Sequence, residues 1–151
     1  MGTRSLTTFI DDHNDNEIVV MYRQMDGYPE THGKELVEFL DDMHIVNGIR
    51  INDERKIANG ISCLAAQTVA HFKDGVGHIY LYSAGLRDCG EEYIYTIYTY
   101  NKPNNKPKKT NNGIRRNNSI LKIKVHKVYD NEDIFDGTVQ EMKDWLKIIW
   151  L

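Results

Sequence analysis

Leu6-Thr7-Thr8-Phe9-Ile10 and Ile18-Val19-Val20-Met21-Tyr22-Arg23-Gln24-Met25 are two runs rich in β-branched and apolar residues, separated by the turn formers Asp11-Asp12-His13-Asn14-Asp15-Asn16. This pattern reads as a β-hairpin. Pairing the two strands symmetrically about the turn sets Arg4 opposite Arg23. Guanidinium groups facing each other on adjacent strands repel, so the fold is expected to hold an anion between them, either an internal carboxylate or a ligand. Asp26 is the nearest internal candidate.

Downstream, Asp26-Gly27-Tyr28-Pro29 is a turn signal, and Leu36, Val37, Leu40 and Met43 follow at helical spacing, with Pro29 or Thr31 at the helix start. A longer helix capped by Asn52 is expected to present Ile57, Ile61, Leu64, Ala65, Thr68 and Phe72 on one face. Two Tyr-rich strands, 78–84 and 92–100, come next. Leu121, Ile123 and Val125 alternate with Lys122, Lys124 and His126 in a strand with one apolar and one basic face. Thr138 and Glu141 form a capping box for a last helix, whose Val139, Met142, Leu146 and Ile149 share a face. The predicted order is ββααβββα. Turn-linked strands without helical crossovers argue for a single α+β domain over 1–151: a two-layer sandwich with a mainly antiparallel five-stranded sheet and helices on one face.

The chain has 151 residues, 40% of them hydrophobic, which suffices for one core and excludes a disordered tail. Its net charge of -3 hides a segregation. From Tyr93 to Tyr129 there is no Asp or Glu, while nine Lys and Arg residues occur, six of them in an Asn-rich loop at about 101–118 that is expected to be mobile. The rest of the chain carries ten cations against 22 anions. The basic stretch lacks the aromatics and motifs of a nucleic-acid binder, so nucleic acid is not an expected partner. Cys63 and Cys89 fit neither a zinc module nor a disulfide framework, and the six histidines show no metal-ligand spacing; neither metal nor cofactor is expected. Without a signal peptide or an apolar run long enough to span a bilayer, the expected location is the cytoplasm, away from any membrane.

The residues with the most chemistry are Arg4, Arg23, Gln24, Asp26, Tyr28 and His32, with Asn47 further on. Backbone N–H groups at the helix start around Thr31 to Gly33, beside two arginines, would make a phosphate pocket. Tyr28 would stack on a base, and His32 would donate to phosphate or, with Asp26, act as an acid-base pair. The bland alternative is an ion-pair cluster of Arg4, Asp26 and Arg23 that pins the turn. The basic strand face of Lys122, Lys124 and His126 is a second anion-attracting surface. Six of the nine tyrosines fall at positions 80, 82, 93, 95, 98 and 100, and alternation should send about half of them to an open face, where a subunit interface is the favoured use.

Met1-Gly2-Thr3-Arg4-Ser5-Leu6-Thr7, with Tyr22-Arg23-Gln24-Met25-Asp26-Gly27-Tyr28-Pro29, His32-Gly33, Glu35-Leu36 and Asn47-Gly48, resembles an uncharacterised family of small proteins of phages, large viruses and bacteria. The resemblance implies a shared fold and a phage or viral origin, and supplies no catalytic residues. The leading expectation is a homo-oligomeric binding protein for a phosphate-bearing small molecule, nucleotide-like, of the kind a phage could use to sequester a nucleotide immune signal. The alternatives are a phosphodiesterase or nuclease-type hydrolase and a non-catalytic protein-interaction module.

Overall fold

The structure is a computed structural model that describes residues 2–101, 108–109, 115–116 and 119–149. Its strands are β1 Ser5–Ile10, β2 Glu17–Arg23, β3 His44–Val46, β4 Ile57–Asn59, β5 Ile79–Tyr82, β6 Tyr93–Asn101, β7 Lys108–Lys109, β8 Arg115–Arg116, β9 Ser119–Lys127 and β10 Glu132–Thr138. The helices are α1 Lys34–Leu40, entered through a π-helical turn Pro29–Gly33, then α2 Gly60–Phe72 and α3 Val139–Ile149. The expected basic loop lies largely outside the described residues.

Six strands form the main sheet in the order β10-β9-β6-β1-β2-β5, while β3 and β4 pair separately. The fold is α+β and mostly antiparallel, as expected, but with six main strands and one parallel pair, β1 with β6. Parallel pairing follows from the β5–β6 connection. Residues Ser83 to Glu92 cross back over β2 and β1, so β6 enters in the direction of β1. The extra strand is β10, whose Glu132-Asp133-Ile134-Phe135-Asp136 lacks clean alternation because a bulge falls between Asp133 and Phe135.

All three helices lie on one face. Phe9, Met21, Ile79, Tyr95, Ile97, Leu121, Ile123 and Val125 form the sheet side of that core, and Leu36, Val37, Leu40, Ile61, Leu64, Ala65, Met142 and Leu146 form the helix side. Each fully buried aliphatic side chain contributes roughly 1.5–3 kcal/mol. The capping box of α3 is present: Glu141 N donates to Thr138 Oγ1 (3.1 Å) and Thr138 N donates to Glu141 Oε1 (2.9 Å). The start of α2 differs from expectation. Ile57–Asn59 is strand, and the helix begins at Gly60, whose φ of +79° breaks any helix running in from Asn52. Asp12 Oδ1 from the β1–β2 turn accepts from Ile61 N (3.4 Å). Among the described residues no helix is long and apolar enough to cross a membrane.

The register of the first hairpin is the decisive departure. Ile10 faces Glu17, as symmetric closure requires, but a bulge follows and Thr8 faces Val20, so Ser5, not Arg4, stands opposite Arg23. The extra residue sits in β2 at Ile18 or Val19. A shift of one residue exchanges the faces of every side chain beyond it.

On the outer face, away from the helices, Leu6, Val20 and Tyr22 form a second cluster with Tyr82, Cys89 and Ile94. The Ser83–Glu92 strap covers them. It is pinned by Arg87 Nη2 to Glu17 Oε1 (2.7 Å), by Gly85 N to Glu17, and by Glu91, which accepts from Asp88 N (3.1 Å) and Cys89 N (2.7 Å). Among the described residues nothing packs over the β6, β9 and β10 half of this face. Lys73 guards the β5 edge, donating to the carbonyls of Gly77 (2.9 Å) and Ile79 (2.8 Å).

Candidate functional site

The N-terminal motif residues gather at one end of the sheet, where β1 and β6 begin and β2 ends, but the sheet divides them. Arg23 points to the helix face and is buried. Its Nε donates to Met25 O (2.7 Å), and its Nη1 donates to Glu35 and to His32 Nδ1 (3.1 Å). Arginine cannot accept, so His32 Nδ1 carries the lone pair and Nε2 the hydrogen, which is donated to Thr7 Oγ1 at 2.7 Å. The His32 ring is fully buried, 4.7 Å edge-on from Tyr95 and 5.1 Å from Phe72. Burial, then the charge of Arg23, pull its pKa down to about 3, so the imidazole is neutral. Tyr95 closes the network by donating its hydroxyl to Gly27 O (2.7 Å).

This arrangement removes the expected phosphate pocket on that side. The N–H groups of Thr31, His32 and Gly33 all converge on Tyr28 O, at 3.1, 2.8 and 3.4 Å, and are spent. Glu35, not Asp26, neutralises Arg23. Asp26 is exposed with φ 61°, and no hydrogen bond links its carboxylate to His32 among the described residues. The expected acid-base pair is therefore not assembled, and neither is the expected ion-pair cluster of Arg4, Asp26 and Arg23: Arg23 pairs with Glu35, and among the described residues neither Arg4 nor Asp26 forms an ion pair. Sequence reasoning missed Glu35, Thr7 and Tyr95. The spacing of Glu35, one helical turn after His32, was the available signal.

Arg4 lies on the other side. Arg4 immediately precedes β1, just as Gln24 follows β2 and Glu92 precedes β6, and Glu92 N donates to Arg4 O (2.9 Å). The guanidinium is half-buried against the strap: a Cβ at Gly90, whose φ is +78°, would fall 2.4 Å from Arg4 Nη1. Among the described residues no carboxylate reaches ion-pair distance of it. Arg23, Arg55 and Arg87, by contrast, each hold a carboxylate. The next row of the outer face is aromatic. Tyr22 lies 5.9 Å from Tyr80 and 5.6 Å from Tyr82, and Lys73 Nζ sits 5.6 Å from the Tyr80 ring. Burial lifts the Tyr22 hydroxyl pKa, and the positive charge of Arg4 opposes that rise. Asp26 (φ 61°), His78 (φ 67°) and Asp88 (φ 61°) take left-handed backbone at this end, as Asp15, Asp42 and Asn131 do elsewhere.

Tyr28 is exposed on the rim, with its ring 6.3 Å from Tyr93. Asn47 is elsewhere. It borders a water-sized cavity of about 50 Å³ with Asp12, His13, Asn59, Gly60 and Ser62, at the far end of β1. The tyrosines divide as alternation requires: Tyr93 and Tyr95 on the helix face, Tyr80, Tyr82, Tyr98 and Tyr100 on the outer face.

Lys122, Lys124 and His126 do share the outer face, beside Tyr98, Thr96 and Ile94 respectively. Lys122 Nζ lies 5.8 Å from the Tyr98 ring and 5.3 Å from that of Tyr100. The unforeseen strand β10 adds carboxylates. Asp136 stands opposite Lys124 and accepts from the Tyr98 hydroxyl, while Asp133 Oδ1 is 2.8 Å from His126 Nδ1. Burial, then the hydrogen bond to Asp136, push the Tyr98 pKa well up. The surface is thus mixed in charge, not purely basic. Among the described residues no three His, Cys, Asp or Glu side chains gather as a metal site, and Cys63 and Cys89 are free thiols.

Comparison with family models, curated proteins and solved structures returns no match.

Proposed function

We propose that the protein is a non-catalytic binding protein for a phosphate-bearing aromatic molecule, nucleotide-like, taken up on the outer sheet face at Arg4. The observation that carries this reading is the state of Arg4: partly buried against the strap, with no carboxylate partner among the described residues, and near enough to Tyr22 for its charge to act on that hydroxyl, Tyr22 in turn packing on the Tyr80 and Tyr82 rings. Withdrawing a cation from water without an anion costs free energy that a bound phosphate recovers through charge-assisted hydrogen bonds. Gln24, exposed at the end of β2, adds an amide donor and acceptor. Tyr80 is 43% exposed and offers a flat wall on which a base gains about 1–3 kcal/mol by stacking.

The hydrolase alternative lacks its base, because His32 is neutral, buried and committed to Thr7 and Arg23. Capture without turnover suits a phage protein that sequesters a nucleotide signal. Titration calorimetry of the full chain against a panel of cyclic and linear nucleotides tests the reading. Stoichiometric heat with at least one of them, and recovery of that nucleotide unchanged after denaturation, is the expected result. Absence of heat across the panel, or a cleaved product, overturns it.

A further inference from the structure

We propose that the β6–β9–β10 half of the outer face, which no other described element covers, is the interface of a homodimer. It bears a basic strand directly beside an acidic one: Lys122 and Lys124, with His126, on β9, and Asp136 and Asp133 on β10. An interface built by a two-fold axis must be complementary to itself. A two-fold axis running along the strands, midway between β9 and β10, places the β9 of each copy over the β10 of the other. Because Lys124 and Asp136 are cross-strand partners at the same height, the axis brings Lys124 of each copy onto Asp136 of the other, and His126 onto Asp133. An axis centred on β9, or perpendicular to the strands, sets cations against cations instead.

The groups required are present and positioned. Lys122 and Lys124 form no ion pair among the described residues. Tyr98 holds Oδ1 of Asp136, which fixes the carboxylate while its other oxygen remains able to accept. Tyr98 and Tyr100, the latter 45% exposed, flank the charged centre and would lie along the partner copy's β10 edge. That edge exposes backbone groups on its outer side. The three strands span roughly 15 Å by 30 Å, which sets the contact at the small end of specific interfaces and makes a concentration-dependent dimer the expected form. Its charged centre makes it salt-sensitive.

Sedimentation velocity of the full chain over a concentration series, at low and high salt, tests this with a charge exchange. The wild type should show dimer mass at low salt and shift toward monomer at high salt. Lys124→Glu and Asp136→Lys should each be monomeric alone, since each sets like charges together twice. An equimolar mixture should regain dimer mass, because both contacts in the mixed dimer are again of opposite sign. If Asp136→Lys does not fold, His126→Glu with Asp133→Lys makes the same exchange. A wild type that stays monomeric throughout, a Lys124→Glu chain that keeps full dimer mass, or a mixture that stays monomeric overturns the proposal. None of these outcomes depends on nucleotide binding.

Discussion

Arg4 and Arg23 emerge one register step apart on neighbouring strands and point to opposite sides of the same sheet. Arg23 is sealed beneath α1 by Glu35, His32 and Met25 O, whereas Arg4 lies under the strap on the outer face without a carboxylate. One bulged residue in β2 is the cause. It converts an expected pair of arginines into an internal pin and an outward cation.

Replacing Arg23 with Met should destabilise the fold by about 2–3 kcal/mol, since it strands His32 Nδ1 and the Met25 carbonyl. The cost stays below that of a fully buried pair because the Glu35 side chain is 48% exposed and water can take over its solvation. Urea denaturation at neutral pH measures it. An unchanged midpoint would show that the network contributes nothing.

His32 gives the fold a pH dependence of known sign. Its folded pKa is pulled down to about 3 from the usual value near 6.5. Above 6.5 neither state binds the proton and the stability is fully present. Below 6.5 the unfolded chain takes up a proton that the folded one refuses, so stability falls by about 1.4 kcal/mol per pH unit until the folded pKa is reached. The His32→Gln variant should lose this component between pH 6.5 and 4 while retaining that of the carboxylates. Nitrogen-15 spectra of the imidazole should show the Nε2-protonated tautomer throughout that range.

Ser5 Oγ is fully buried and has no hydrogen-bond partner among the described residues. Removing it in Ser5→Ala should therefore be neutral or stabilising by about 1 kcal/mol. At Gly27, which packs against Ser5, the opposite holds. A Cβ on Gly27 would sit 2.7 Å from Ser5 Cβ, so Gly27→Ala should cost about 1–3 kcal/mol, and Ser5→Gly in the same chain should recover part of it. Thermal melts of the single and double variants check both statements.

Much of this was legible in the sequence. The helix face of α3 and its capping box followed from Thr138, Glu141, Met142 and Leu146, and the two faces of β9 followed from strict alternation at Leu121 to His126. Features that depend on irregular backbone were not. The β2 bulge leaves no mark in the composition of Ile18-Val19-Val20, yet it decides which face every motif residue of β1 occupies. Strand β10 was hidden by Asp133 and Asp136, which suit a solvent-exposed edge and read locally as loop. The fate of the Thr31–Gly33 amides depended on a π-helical turn that returns all three to Tyr28 O, where an ordinary helix start would leave them free.

Gly90 is the position at which the strap meets Arg4. Alanine there must adopt φ near +78° and would place its Cβ 2.4 Å from the present Nη1 position, displacing the guanidinium. Gly90→Ala should destabilise the fold by only about 1 kcal/mol and weaken nucleotide binding clearly more than Ser83→Ala does. Equal affinities for the two variants would separate the strap from the site.

The most direct measurement is calorimetric titration of the bound nucleotide into Arg4→Met and Arg23→Met side by side, at a temperature where both are folded. Loss of tenfold or more in affinity for Arg4→Met, with Arg23→Met close to the wild type, is the predicted result. The reverse order, with Arg4→Met unaffected and Arg23→Met unable to bind, would contradict the assignment of the site to the outer face.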